Sequence, residues 1–272
     1  MQVRDLAGLS DRERRKLQEG RLRNLLLQYY APREPMLMGG IFNFLQVEKK
    51  LPLHLIHKVI DRLANITIAT TVMTYMEVVE FIKALPDDYV IAKGPCACRV
   101  HTAELGPDAR ELDADNLGLC RQSPLDVDIQ IAASGEAFAK LEPYTTITRE
   151  ELLELEERCH NMGLVANVYT MFNGESGLCH CSSKTCIPFI ANEAIDQKSA
   201  VIRAGRSIAQ TDSSRCEAHG DCLRVCHFNA RRITEHQDRR VSVLVDSARC
   251  YGCGYCAEVC PQEAITMVER GG

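Results

Sequence analysis

The sequence predicts an α+β chain in three parts, and three observations support that division. Residues 66–72, 89–93 and 127–131 have strand character and alternate with segments of helical periodicity. A capping box at residues 148–151 predicts a long helix. The last part of the chain repeats itself. We therefore expect, in chain order, a helical segment at 1–65, an α/β domain with a cysteine-rich metal site at 66–204, and a pseudo-two-fold domain at 205–272.

Composition limits what the chain can do. Its 272 residues are 46% hydrophobic, which permits a sizeable core, and its formal net charge of -5 gives no indication of nucleic-acid binding. The most apolar stretch, residues 66–82, is interrupted by threonines and glutamates, and the N-terminus has no export signal. The fourteen cysteines have the spacings of metal sites and not of a disulfide scaffold. We expect a cytoplasmic protein with no direct membrane insertion.

Two helices are predicted in the first 65 residues. A capping box at residues 10–13 begins a helix that ends before Pro32. A loop is expected at residues 35–40, and a second helix begins after Pro52. The many charges of the first helix indicate a surface or docking position.

The middle of the chain is predicted to contain strands and helices in alternation. A helix is expected at residues 75–85, where a proline stops it, and residues 127–131 alternate apolar and polar side chains as a half-buried strand does. The helix that begins at residues 148–151 contains Cys159, which is typical of a small buried side chain. It also contains His160, which we expect to face solvent.

One cysteine run near the C-terminus is highly specific. Residues 250–261 read C-x2-C-x2-C-x3-C-P, with cysteines at 250, 253, 256 and 260. This spacing holds a 4Fe-4S cluster in bacterial ferredoxins, because three closely spaced thiolates can wrap one face of the cluster while the fourth cysteine ligates the other cluster of a two-cluster module. The run therefore predicts a second, partner half.

The partner half lies 34 residues earlier in the sequence. In that register five pairs align: Cys216 with Cys250, Cys222 with Cys256, Cys226 with Cys260, Ala230 with Ala264, and Asp212 with Asp246. His219 and His227 break the pattern, since the second half has a cysteine and a proline at these positions. One register fits all five pairs, which indicates an internal repeat.

A hairpin is predicted between the two halves, with strands at residues 233–238 and 241–245. Four arginines lie nearby: Arg231, Arg232, Arg239 and Arg240. Such a group either docks an acidic partner or forms a solvated polar surface.

A second group of cysteines lies upstream. It consists of two C-x-C pairs and two single cysteines: Cys96, Cys98, Cys120, Cys179, Cys181 and Cys186. In extended chain the two cysteines of a pair share a face, so each pair can present two thiolates to one site. Six thiols exceed the four that a metal site normally needs. A third iron-sulfur cluster, a zinc site, and packing or redox thiols are the three interpretations.

The order of these motifs resembles a group of multi-cluster 4Fe-4S ferredoxin-like proteins of anaerobic prokaryotes. The resemblance rests on five features, which are Cys-x-Cys-Arg at 96–99, the distant Cys120, a helix that ends in Gly-Leu-Val at 163–165, the cysteine run at 179–186, and Arg-Val-Cys-His-Phe at 224–228. It covers residues 66–272 and implies that residues 205–272 fold like a bacterial two-cluster ferredoxin. Related sequences tend to carry more cysteines where this chain has His180, Ser182 and Ser183.

The resemblance also implies two sets of cluster ligands. One set consists of Cys226, Cys250, Cys253 and Cys256. The other consists of Cys216, Cys222 and Cys260, with His219 as a candidate fourth ligand. A neutral imidazole in place of a thiolate would raise the potential of this cluster. The alternatives are a 3Fe-4S cluster with His219 unbound, and a 4Fe-4S cluster that takes water or a partner's group as its fourth ligand.

We expect the chain to transfer electrons as a subunit or dedicated redox partner of a larger anaerobic oxidoreductase. No residue is assigned a catalytic role, and the sequence has no Gly-rich phosphate loop or dinucleotide fingerprint, so electrons must enter and leave through partners. The alternative is a redox enzyme whose upstream cluster reduces a small substrate, with His101, His180 and Lys184 nearby in sequence. A third interpretation is a redox or metal sensor, although no DNA-binding motif is present.

Overall fold

The computed structural model describes residues 20–48, 59, 62, 68–103, 126–172, 174–194, 199–235 and 241–271, and the structural statements below concern these residues. In chain order the helices are α1 (Arg21–Tyr30), α2 (Glu34–Glu48), α3 (Tyr75–Lys83), α4 (Ala97–Ala103), α5 (Ala132–Phe138), α6 (Arg149–Asn161), α7 (Ile187–Ala194), α8 (Asp221–Arg224) and α9 (Tyr255–Glu258). The strands are β1 (Ile68–Val72), β2 (Ile91–Gly94), β3 (Asp128–Ile131), β4 (Thr145–Thr146), β5 (Val165–Met171), β6 (Gly174–Cys181), β7 (Ile202–Arg203), β8 (Ser207–Thr211), β9 (Arg231–Glu235), β10 (Val241–Val245) and β11 (Ile265–Glu269). Helices and strands are both abundant, as an α+β chain requires.

Seven strands form one sheet in the order β4-β2-β3-β6-β5-β1-β7. The neighbouring strands are antiparallel except β1 and β7, which are parallel. Helices α3 and α6 pack against one face, in a core that includes Val78, Leu152 and Leu178. Helices α1 and α5 cover the other face around Leu27 and Phe138. The centre of the sheet is therefore buried on both sides.

Strand β3 departs from the half-buried pattern that its sequence predicts. All four of its residues are buried, including Asp128 and Gln130. The Asp128 carboxylate accepts hydrogen bonds from the Tyr144 hydroxyl at 2.7 Å and from the Gln130 amide at 2.8 Å. The Ser134 hydroxyl in turn donates to Gln130 at 2.5 Å. Because these polar groups satisfy one another, they can lie inside the protein, and the polar alternation does not mark a solvent face.

The N-terminal helices agree with the prediction in part. Helix α1 ends at Tyr30, before a proline, as predicted, whereas the capping box at residues 10–13 lies outside the described residues. The loop predicted at residues 35–40 is wrong, since these residues belong to α2. Pro35 lies in the first turn of α2, where a backbone N–H has no acceptor within the helix, so the proline does not interrupt it. Most of the segment after Pro52, where a helix was predicted, is outside the described residues.

Helix α6 begins with the predicted capping box. The Thr148 side chain accepts a hydrogen bond from the Glu151 N–H at 3.1 Å, and the Glu151 carboxylate accepts one from the Thr148 N–H at 2.7 Å. Cys159 is fully buried, as predicted, in the core between α6 and the sheet. Its burial raises the pKa of its thiol to about 12, so this cysteine stays a neutral packing residue.

The C-terminal part of the chain, from residue 205 onward, contains two two-stranded sheets, β8 with β11 and β9 with β10. The 34-residue offset of the sequence recurs in the backbone. Left-handed conformations occur at three pairs of positions in this register: Ala218 and Gly252, Gly220 and Gly254, and Asn229 and Glu263. Asp212 N–H donates to the Ala264 carbonyl at 2.8 Å, and Asp246 N–H donates to the Ala230 carbonyl at 2.7 Å. Each half therefore bonds to the other in the same way.

The C-terminal part packs directly against the large sheet and its helices. The Tyr255 hydroxyl lies 2.8 Å from the Leu164 carbonyl and 3.1 Å from the His160 carbonyl. The His160 ring stacks between Tyr75 and Tyr255, with ring centroids 4.2 and 5.2 Å away. The prediction that His160 faces solvent is therefore wrong, because an aromatic residue of the C-terminal part covers it.

Among the helices of the described ranges, none combines the length and the apolar character that crossing a lipid bilayer requires.

Candidate metal centres

Four thiols of the C-terminal part come together beside the large sheet, and we call them the proximal set: Cys226, Cys250, Cys253 and Cys256. Burial raises the pKa of the Cys253 thiol well above its usual value, and negative charge on Cys256, Cys226 and Cys250 raises it further. Cys226 follows α8 and is remote in sequence, yet its thiol lies among those of the 250–256 loop. The structure therefore brings together the four cysteines of the first predicted ligand set.

Three other thiols come together on the far side of the C-terminal part, and with His219 we call them the distal set: Cys216, Cys222, Cys260 and His219. Burial raises the pKa of Cys222, while Arg231 lowers it and the charges of Cys216 and Cys260 raise it. All four residues line one cavity. The His219 side chain is 42% exposed, and its Nε2 lies 3.5 Å from a Glu217 carboxylate oxygen. His219 is thus at the rim of the cavity, within the predicted group.

Backbone N–H groups point at the sulfur atoms of both sets. Ala230 N–H donates to Cys226 Sγ at 3.2 Å, and Ala264 N–H donates to Cys260 Sγ at 3.4 Å, in the same register of the repeat. Val243 N–H donates to Cys216 Sγ at 3.3 Å. Such donors stabilise negative charge on sulfur, and they tune clusters that are held by thiolates. The chemistry and the surroundings of these thiols therefore fit iron-sulfur clusters.

Two glycines shape the loop of the proximal set. Gly252 has φ +87° and Gly254 has φ +95°, which is the left-handed region that side chains disfavour. A Cβ on Gly252 would also collide with the Ser207 carbonyl oxygen. Gly254 directly precedes α9, which carries Cys256. Glycine at these positions lets the chain make the tight turns between Cys250, Cys253 and Cys256.

Arg231 has a role that the sequence did not indicate. The sequence predicts that Arg231, like the neighbouring arginines, docks an acidic partner or faces solvent. Arg231 is instead buried, so this prediction is wrong for this residue. Its guanidinium donates to Cys256 Sγ at 2.8 Å and to the Thr211 hydroxyl at 2.7 Å. Burial raises the pKa of Cys256 to about 11, and Arg231 acts against that shift. Arg232 is exposed, and Arg239 and Arg240 lie outside the described residues.

The upstream thiols form a chain of contacts. In order of contact it runs Cys96, Cys98, Cys186, Cys181, Cys179, each thiol within hydrogen-bonding distance of the next. Hydrogen bonds from Cys186 and Cys96 lower the pKa of Cys98, and those from Cys179 and Cys186 lower the pKa of Cys181. Cys120 lies outside the described residues. The structure therefore brings together five of the six predicted upstream cysteines.

The two C-x-C pairs reach this site in different ways. Cys179 and Cys181 lie on β6 and share a face, as predicted for extended chain. Cys96 precedes α4 and Cys98 lies within it, so the extended conformation predicted for this pair is wrong. Cys186 directly precedes α7. A strand and the starts of two helices thus supply the thiols.

The histidines near the upstream thiols do not join them. His180 lies on the opposite face of β6, where it is fully buried with Nε2 2.6 Å from Glu156 and Nδ1 3.2 Å from the Val127 carbonyl. Burial lowers the pKa of His180, but the Glu156 charge and hydrogen bond more than offset it, and the net pKa is raised. His101 contacts the Pro35 carbonyl at 2.5 Å. Both rings therefore have partners away from the thiols.

A buried carboxylate does lie beside the upstream thiols. Asp128 Oδ1 is 3.8 Å from Cys179 Sγ and 3.4 Å from the Tyr169 hydroxyl. Burial raises the pKa of Asp128 to about 6, partly offset by its hydrogen bonds from Tyr144 and Gln130. The sequence reasoning missed this residue, because its only signal was a polar position in a strand pattern, which indicated exposure.

The described residues contain no group of three or more His, Cys, Asp or Glu side chains arranged to hold a single metal ion. The upstream thiols make pairwise contacts along a chain and do not converge on one point. Five neighbouring thiols nevertheless supply enough donors for a four-thiolate centre, whether a cluster or zinc.

The upstream thiols and the proximal set share one hydrophobic core. That core contains Cys181 and Cys186 together with Cys250 and Cys256. Three aromatic rings of this core pack against one another. The ring centroids of Phe189 and Phe228 are 5.1 Å apart, and those of Phe228 and Tyr251 are 4.6 Å apart. The two sites therefore lie against the same packed core.

Residues 215–264 match the family model of the 4Fe-4S dicluster domain. A comparison of the chain with curated proteins found no match. The matched segment contains all seven cysteines of the proximal and distal sets, and it supports iron-sulfur binding and electron transfer as the function of this part of the chain.

Proposed function

We propose that the chain is an iron-sulfur electron-transfer protein with two clusters on its C-terminal part and a third cluster on the upstream thiols. We further propose that it works in a reducing cytoplasm, as a subunit or dedicated partner of a larger oxidoreductase complex of an anaerobe. The dicluster match at residues 215–264 supports the iron-sulfur function.

One observation carries this proposal: the fourth cysteine of each half lies with the first cysteines of the other half, so the ligand sets are crossed. Cys222 lies only four residues before Cys226, yet Cys222 lines the distal cavity with Cys260, whereas charge on Cys226 raises the pKa of Cys253. Two-cluster modules use their fourth cysteine in this crossed way. The matching offsets of β8 with β10, β9 with β11 and α8 with α9 support a pseudo-two-fold, ferredoxin-like arrangement of the halves.

A third cluster on the upstream thiols is favoured over zinc because of where the thiols lie. Zinc has no redox chemistry of its own, so a zinc site gains nothing from a position next to an electron carrier. Cys181 and Cys186 share a core with the proximal set. Four of the thiols Cys96, Cys98, Cys120, Cys179, Cys181 and Cys186 would hold such a cluster.

The exposure of the distal set supports a path for electrons. When bound, the clusters supply one-electron oxidation and reduction. The distal set has a solvent-facing rim at His219, which makes it the natural point of contact for a partner. Phe189, Phe228 and Tyr251 pack in the core that Cys181 and Cys186 share with the proximal set. Electrons would then pass between a partner and the upstream thiols through the distal and proximal sets in turn.

Serine substitutions test the crossed ligand sets. Cys226→Ser should change the paramagnetic resonance signal of the proximal cluster, whereas Cys222→Ser and Cys260→Ser should both change that of the distal cluster. If Cys226→Ser and Cys222→Ser alter the same signal, the ligands are not crossed and the two-cluster proposal fails.

A second candidate function is a redox enzyme that reduces a small substrate at the upstream cluster. The buried Asp128 beside Cys179 favours it, because reduction of a small molecule consumes protons as well as electrons. The discriminating test is titration of the reduced protein with cyanide, followed by electron paramagnetic resonance. A new signal from the upstream cluster alone would support the enzyme, since it requires an exchangeable iron position.

A further inference from the structure

A cleft of about 300 Å³ opens between the upstream part of the chain and the C-terminal part. Its polar lining includes residues of both parts, among them Ser183, Lys184, Glu193, Arg224 and Cys226. Volumes of this size hold small organic ligands in proteins. Because each part supplies one wall, the cleft exists only where the two parts meet.

The cleft lies between two of the sites described above. Cys226 belongs to the proximal set and forms part of one wall. Ser183 and Lys184 occupy the turn between Cys181 and Cys186, so the opposite wall is the turn that carries two upstream thiols. A molecule in the cleft would therefore contact a residue of one site and the loop of the other.

The charges around the cleft leave one cation without a counter-ion. Arg224 pairs with Asp221 on its own helix, and Glu193 pairs with Arg249 at 3.2 Å. Lys184 is exposed and has no ion pair within the described ranges. Its ammonium group is thus available to a ligand, and a compact ammonium is a strong donor for carboxylate oxygens.

The apolar part of the lining determines the kind of anion. Phe189 and Phe228 lie side by side in the lining, with ring centroids 5.1 Å apart. Each of these residues is 4% exposed, so a small part of each ring can contact carbon atoms of a ligand, whereas Ser183 and Asn229 offer hydrogen bonds. The combination suits an organic molecule with a charged group better than an inorganic ion.

We infer that this cleft binds a small carboxylate, whose charged group pairs with Lys184 and whose carbon atoms lie against Phe189 and Phe228. Binding brings negative charge next to Cys226, so it lowers the reduction potential of the proximal cluster. The inference that a carboxylate binds here rests on the cleft alone. The effect of binding on the potential of the proximal cluster rests on the proposed function.

Equilibrium dialysis of radiolabelled malonate against the anaerobically purified full chain tests the site. The expected result is saturable binding that Lys184→Met weakens about fivefold or more, the loss of one charged hydrogen bond. Lys140→Met removes the same charge from another exposed lysine and should leave binding unchanged. Malonamide, the neutral analogue, should not compete.

Equal malonate binding by the Lys184→Met and Lys140→Met proteins, or displacement by malonamide, would overturn the site. A redox titration with and without malonate then tests the coupling, and the proximal potential should fall in the wild type but not in Lys184→Met. If the cluster signals are present and malonate binds without changing the proximal potential, the inference that malonate binds beside Cys226 is wrong. Absence of the cluster signals would instead contradict the proposed function, while the dialysis result would stand on its own.

Discussion

The two halves of the C-terminal part share a backbone but differ in what they contact. The half with the proximal set carries Tyr251 and Tyr255, which pack against the large sheet and its helices. The equivalent positions of the other half are Glu217 and Asp221, which belong to the cavity of the distal set. The comparison teaches that the same loop backbone occurs in a buried half and in an exposed half when a few side chains differ.

The halves also differ in the groups that face their thiols. Arg231 donates to Cys256 in the proximal set, and its equivalent 34 residues later is the buried apolar Ile265. His219 replaces, in the distal set, the thiol that Cys253 supplies to the proximal set. Each change reduces the negative charge around one cluster, and each would raise the potential of that cluster.

The largest effect is expected from His219→Cys, which makes the distal set resemble the proximal one. If the imidazole binds iron, a thiolate in its place stabilises the oxidised cluster and lowers its potential by about 100 mV or more, as the gap between His-ligated and all-thiolate clusters indicates. A redox titration followed by electron paramagnetic resonance measures the change.

Glu217→Gln is the matched control for that substitution. It removes a charge 3.5 Å from His219 without changing a candidate ligand, so it should move the potential less and in the opposite direction. A conversion from a 3Fe to a 4Fe spectrum in His219→Cys, with no fall in potential, would mean that His219 is not a ligand.

A smaller effect is expected from Arg231→Met, which removes the hydrogen bond from the guanidinium to Cys256 in the proximal set. Loss of the guanidinium should lower the proximal potential by on the order of 50 mV. This shift corresponds to only part of the energy of a charged hydrogen bond, because the bond is present in both oxidation states of the cluster. Arg232→Met, at the exposed neighbouring position, should change neither potential. Equal shifts in the two variants, or a shift of the distal cluster alone, would show that the contact with Cys256 has no special effect.

The smallest of the three effects is expected from Tyr255→Phe, which weakens the contact of the buried half with the sheet. The variant loses the hydroxyl that meets the Leu164 and His160 carbonyls, and its free energy of unfolding should fall by about 1 kcal/mol. Tyr29→Phe changes a tyrosine that is 63% exposed and should have almost no effect in anaerobic guanidinium denaturation. A similar small change in both variants would argue that the contact contributes little.

The grouping of the C-terminal thiols could be predicted from the sequence, because the spacing of the cysteines matches that of a cluster loop. The 34-residue register extends to the left-handed backbone at Gly252 and Gly254, which a loop around a cluster requires. The upstream site was predicted only as a group of residues, since its thiols meet through the packing of a sheet with two helix starts. No local pattern shows that Cys98 begins a helix while Cys181 ends a strand.

Errors occurred where tertiary contacts override local polarity. Asp128 and Arg231 were expected to face solvent or a partner, yet each is buried against a thiol with a compensating hydrogen bond. His160 is covered by Tyr255, a residue 95 positions later. Hydrophobic periodicity contains no information about such partners, because they come from distant parts of the chain.

The number of metal atoms per chain tests the central claim most directly. Protein prepared without oxygen should contain about 11 to 12 iron atoms and a similar amount of acid-labile sulfide, which corresponds to three clusters, one of them of either the 3Fe or the 4Fe type. About eight iron atoms together with one zinc would contradict the account, because the upstream thiols would then hold a redox-inert ion and could not receive electrons from the proximal set.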